Sequence, residues 1–274
     1  MPTRQETSKL AWQLLLKSKY PNALDLSSAW LGIYQVLLWY EQIHEAGFSQ
    51  LPHIIDADKL RRPPSKRKAA GPTKPNAWQL RASAAEEYLA RELNVKTEGV
   101  PALVDRLMRH PNYKGMQRQN PLGMAFVSLV ARILAKYSSK QLSFKEEVKA
   151  TSAFPGFTIP GRSTTPSIDI LVRKNSVPRA VISVKWSLRH DRVGDITGEC
   201  PAYKAVAQTM RYKFDYAVVT NEFDPSRINK LLADSCIDAV AHVNKPILTT
   251  VCKLDGRLSS LMDLSEFVEL TKRW

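Results

Sequence analysis

Apolar positions change their period part-way along the chain. From about Thr7 to Ala46 they recur at helical spacing, and DLSSAW offers Asp25 or Ser27 as an N-cap. Further helices are predicted over Ala77 to Leu93, near Val100 to Arg109, and over Pro121 to Tyr137. Beyond Tyr137 the texture becomes that of strands. SIDILV (Ser167 to Val172) and AVISVKWS (Ala180 to Ser187) are joined by RKNSVPR, whose Asn175 and Pro178 suit a turn. A helix is expected at about Pro201 to Lys213, with Pro201 in its first turn. Strands YAVVT (Tyr216 to Thr220) and DAVAHV (Asp238 to Val243) then flank a helix from Arg227 to Ser235. There is no internal repeat, and the order is helices first, then a mixed αβ unit.

One segment interrupts this pattern. KLRRPPSKRKAAGPTKPN, from Lys59 to Asn76, holds four prolines and seven basic residues and cannot form a packed element. It reads either as a solvated tether or as a cationic arm on phosphates, with Lys66, Arg67 and Lys68 as the contacts. The expected organisation is a helical N-terminal subdomain over 1–58, the basic linker over 59–76, and the αβ domain over 77–274.

Composition narrows the class of partner. The chain has 274 residues, 44% of them apolar, enough to build a large core. Lys and Arg total 40 against 26 Asp and Glu, a formal charge of +14, which favours nucleic acid or a lipid surface. The longest apolar run, AWLGIYQVLLWY (Ala29 to Tyr40), is well short of the roughly twenty residues that span a bilayer. The start, MPTRQETSKL, lacks the apolar core of a secretory signal, so a cytoplasmic protein is expected. Cys200, Cys236 and Cys252 form no zinc pattern and are expected to be unpaired thiols.

The chemistry is concentrated in one stretch, SVKWSLRHDRVGDITGE, from Ser183 to Glu199. Alternation places Ile182, Val184 and Trp186 on one face of its strand and Ser183, Lys185 and Ser187 on the other. In the preceding strand Asp169 opposes Ile168, Ile170 and Val172, so Asp169 and Lys185 can meet on one side of a hairpin. Alone, that pair reads more readily as a salt bridge. Phosphodiester hydrolysis, however, needs carboxylates on a hard cation and a nearby cationic group to orient water. Asp169 and Glu199 could hold the ion and Lys185 could serve the water. Glu199, just before the helix expected at Pro201, is far enough along to return to the strand face.

The pattern Asp169, Ser183-Val-Lys185, Arg189-His-Asp191-Arg192 and Glu199 resembles the type II restriction endonucleases that recognise a CCGG core, within the PD-(D/E)XK nuclease superfamily. The likeness covers about residues 165 to 205, and its Lys-x3-Arg-x-Asp-Arg-x6-Glu spacing is its most specific part. It implies a restriction-endonuclease-like central mixed sheet flanked by helices. It also implies that Ser183 stands where most of the superfamily has an acid, with Glu199 supplying that carboxylate from the following helix. Mg2+ is the implied cofactor, with no small-molecule cofactor, in a bacterial enzyme. Cleavage before the first C would leave 5′ overhangs with 5′-phosphates. Arg189 and Arg192 suit the O6 and N7 edges of guanine, and Asp191 can accept from cytosine N4. One segment reads half of the palindrome, so a homodimer on double-stranded DNA is expected, with a tetramer left open.

The family usually adds an acid from an upstream helix, but QNPLGMAFVSLVARIL has Phe126 and Val127 there. Glu86 and Glu87 match by residue type only, and the position is left unassigned. Two rival functions stay open: a structure-selective repair nuclease, and a sequence-specific DNA-binding protein without catalysis.

Overall fold

A computed structural model describes residues 119–188, 190–252 and 258–274, with positions 26, 29, 30, 33, 84, 87, 88, 91 and 92 before them. The linker, with Lys66, Arg67 and Lys68, lies outside the described residues, as do most of the predicted N-terminal helices. In chain order the elements are α1 (Gln119–Tyr137), β1 (Leu142–Lys149), α2 (Ala150–Ala153), β2 (Ser167–Lys174), β3 (Val177–Lys185), α3 (His190–Thr209), β4 (Asp215–Thr220), α4 (Pro225–Leu232), β5 (Ala239–His242), α5 (Lys245–Cys252), β6 (Met262–Asp263) and α6 (Leu264–Thr271). This is a mixed α/β architecture. Six strands form one sheet in the order β1-β2-β3-β4-β5-β6. The first two pairings are antiparallel and the last three parallel, so β3 is where the sheet changes direction.

Both faces of β3 are covered. On the side of Trp186, α1 packs Phe126 edge-on to the indole, 5.2 Å between centroids at 87°. Such pairs contribute about 0.5–1.5 kcal/mol beyond the area they bury. On the side of Asp169 and Lys185, α3 packs Tyr203 beside Tyr216 of β4 and stacks it on Phe157 at 4.5 Å. Ala29 and Ile33 of the N-terminal region are buried in the same apolar cluster.

The hairpin carrying the Asp169–Lys185 pair turns through Asn175 and Ser176, with φ of 50° and 70°. Two left-handed residues make the tight turn that suits strand twist, and asparagine tolerates that conformation best. Pro178, expected in the turn, lies instead within β3, beside the register shift at Val172/Arg173, where a missing N–H is accommodated.

The predicted helix at Pro201 requires a larger correction. α3 begins at His190, and Pro201 lies inside it. Val193, Ile196, Cys200, Tyr203 and Ala207 recur at steps of three and four and are all buried, so one continuous apolar stripe outweighs the N–H that proline lacks. Glu199 is therefore a mid-helix residue rather than one preceding the helix. The expectation of unpaired thiols is corrected too: Cys200 is bonded to Cys236, their Cα atoms 6.1 Å apart. Packing α3 against the turn before β5 brings together two cysteines whose sequence spacing gives no hint of it. Among the described residues no helix is long and apolar enough to cross a membrane.

Two buried titratable groups sit near the C-terminal ends of β4 and β5. Burial pushes Glu222 up to about 7, against the pull of Arg227 and of the Leu188 and Asp224 N–H groups. Burial holds His242 down at about 4. Between about pH 4.5 and 7 folded Glu222 keeps a proton that the unfolded chain has lost. Its contribution is therefore fully present below that window and lost as the pH rises through it. His242, neutral when folded, acts oppositely from about 4 to 6.5, its contribution lost as the pH falls. The stability of the wild type minus that of Glu222→Gln isolates the first effect. Urea unfolding should show this difference falling by up to about 3 kcal/mol across the Glu222 window. A difference independent of pH contradicts the assignment.

Candidate active site

β2 and β3 deliver the first part of the site. Their pairing sets Ile170 opposite Ile182 and Leu171 opposite Val181, a register whose continuation brings Asp169 to Ser183. Asp169 Oδ2 accepts from Lys185 Nζ at 2.5 Å, from the Val184 N–H at 2.8 Å and from Ser183 Oγ at 3.4 Å. The face shared by Asp169, Ser183 and Lys185 is thus the one expected from alternation. Asp169 is 15% exposed and Lys185 26%, so the pair sits at a rim rather than in the core.

α3 delivers the second part. Glu199 is half-buried, and burial pushes its carboxyl up against the opposing pull of Arg162 and Lys185. The aromatic floor accounts for that environment. Tyr203 is pushed up by burial and by the charges of Glu199 and Asp169, and Tyr216 by burial and by Glu199, Tyr203 and Asp169. Both phenols belong to the buried apolar cluster. Arg162, from the loop before β2, donates to Glu199 Oε1 at 2.7 Å and to Asp195 Oδ1 at 2.5 Å. Asp195 in turn meets Arg192 at 3.4 Å. Arg192, Asp195 and Glu199 are spaced three and four apart, so one face of α3 carries the proposed reader and the proposed metal ligand together.

The donor set is that of a hard cation. Hydrogen bonds to Asp169 converge on Oδ2 and Arg162 meets Glu199 at Oε1, so each carboxylate has a second oxygen with which to meet an ion. Mg2+ is commonly held by only one or two carboxylates, with water and phosphate oxygens completing the shell. The residues present fit that pattern. Among the described residues no group of three or more His, Cys, Asp or Glu side chains is placed to hold a metal.

No protein-family profile matches the chain, and no curated protein matches it. The site therefore rests on its own geometry. Of the residues expected to read DNA, Arg192 is exposed in the first turns of α3. Arg189 lies outside the described residues, and so does the side chain of Asp191, although its backbone is helical. The upstream helix supplies no acid at the expected place. Phe126 and Val127 are buried core residues of α1, Glu87 is exposed, and Glu86 lies outside the described residues.

Two participants were missed from sequence. Asp195 lies four residues before Glu199, a helical spacing that would have flagged it had α3 been started at His190. Arg162 stands in a loop rich in Gly, Ser, Thr and Pro, where no periodicity marks it out.

Proposed function

We propose that the protein is a Mg2+-dependent type II restriction endonuclease. Its substrate is double-stranded DNA with a palindromic CCGG core, cut before the first C to leave 5′ overhangs with 5′-phosphates, by a homodimer. The observation that carries this reading is the meeting of Asp169 and Lys185 at 2.5 Å, with the charge of Lys185 acting on the Glu199 carboxyl of α3. The offsets of Arg189, Asp191 and Arg192 from Lys185 supply the CCGG part, through the resemblance described above.

Within this reading Asp169 and Glu199 would hold the cation, which would polarise the scissile phosphate and lower the pKa of the attacking water. The Lys185 ammonium, fixed by Asp169, orients that water and offsets the charge that develops on the phosphate. Ser183 keeps the strand position free of a third negative charge while its hydroxyl bonds to Asp169. Arg162 neutralises Glu199 and Asp195.

Arg192 tests the recognition half. On the helix face of Glu199, it is set to reach a guanine edge once it leaves Asp195. Arg192→Ala should cost about 1–3 kcal/mol of discrimination at one G·C pair. Competition binding between CCGG and a one-base variant measures it. Undiminished preference for CCGG in the variant protein would show that Arg192 is not a reader.

A further inference from the structure

Glu222 is a buried carboxyl group that the cleavage chemistry does not use. Its side chain is 3% exposed, and its two oxygens hold two separate main-chain segments. Oε2 accepts from the Leu188 N–H at 2.6 Å, and Oε1 from the Asp224 N–H at 2.8 Å. Arg227 of α4 donates to Oε2 at 3.2 Å. Leu188 is fully buried and is the residue immediately before Arg189.

The two residues before Glu222 hold the catalytic strand. Thr220 Oγ1 donates to the Lys185 carbonyl at 2.8 Å, and the Asn221 N–H donates to the same oxygen at 3.3 Å. The Glu222 N–H closes the unit onto Thr220 Oγ1 at 3.1 Å. Three consecutive residues at the end of β4 therefore grip the chain at Lys185 and again at Leu188.

We infer that Glu222 is a positioning residue for sequence discrimination, setting where the first turn of α3, with Arg192, stands relative to Lys185. This deepens the proposed function and rests on it. Burying a carboxylate is costly, and an apolar residue would serve stability alone better. Two carboxyl oxygens, each accepting from a different main-chain N–H, define a geometry that one amide oxygen cannot. Bidentate base contacts need their side chains placed within about 0.5 Å. Discrimination should therefore fail before cleavage does, since Lys185 keeps its own anchors in Thr220 and Asn221.

Glu222→Gln tests this with the full-length protein in Mg2+, using duplexes that carry CCGG or a one-base variant. The ratio of kcat/KM for CCGG to that for the variant duplex should fall on the order of tenfold, with CCGG cleavage within about threefold of wild type. An equal decline on both duplexes, or an unchanged ratio in a folded protein, overturns the inference. If Glu222→Gln does not fold, Arg227→Gln keeps both oxygens but removes their cation. The same ratio should then fall less, and no fall overturns the inference. Wild-type protein without preference for CCGG would instead sink the functional reading itself, so the two failures are distinguishable.

Discussion

Glu199→Ala is expected to lose cleavage in Mg2+ by about 10³-fold or more, because a metal ligand acts on the transition state by several kcal/mol. Binding to CCGG duplex should persist, since Arg192 is held by Asp195 rather than by Glu199. The fold should persist as well. Burial already penalises the charged Glu199 carboxyl, and Arg162 retains Asp195 as a partner. Ser183 stands on β3 beside Asp169, at the strand position opposite the helix that carries Glu199. Combining Ser183→Glu with Glu199→Ser should therefore recover part of the activity if both positions serve one ion. Single-turnover cleavage with gel-shift binding on the same preparations checks all three statements. Full cleavage by Glu199→Ala would remove it from the metal site. Failure of the double change is weaker evidence, because a metal site tolerates little positional error.

The second large effect concerns Lys185. A simple salt bridge between Asp169 and Lys185 would make Lys185→Ala a stability variant, with one half-buried carboxylate left to the Val184 N–H and the Ser183 hydroxyl. A lysine that orients the attacking water makes it a rate variant. Loss of a positioned proton-handling group is expected to lower the cleavage rate about 10²–10⁴-fold. DNA affinity should change little. Retention of the rate within about tenfold, with a lowered unfolding midpoint, would return the pair to a structural role.

The strands were legible where one rule decided them. SIDILV and AVISVKWS are apolar runs that lie inside the sheet, and the shared side of Asp169 and Lys185 followed from alternation. β1 was not legible, because LSFKEEVK carries four charges. As the edge strand it tolerates them, and its register runs unshifted past Glu147 at φ 54°. α3 was begun eleven residues too late because Pro201 was placed in a helix's first turn, whereas the buried stripe from Val193 to Ala207 carries the helix through it. That error misplaced Glu199 before the helix and hid Asp195. No element was assigned beyond Val243, where α5, β6 and α6 follow. There a capping box between Asp263 and Glu266 was readable, but the two-residue strand it follows was too short to signal itself. Arg162, Glu222 and the Cys200–Cys236 bond depend on contacts between distant segments and have no local signature.

The central claim joins cleavage to sequence, and one measurement addresses both. Genomic or random-sequence DNA digested by the wild-type protein in Mg2+, with every new end sequenced, reports site, flanking bases and cut position together. The predicted result is a single class of ends, each beginning at the first C of a CCGG core and bearing a 5′-phosphate on a 5′ overhang. Ends scattered without a common sequence, or no cleavage by protein that binds CCGG, would contradict it.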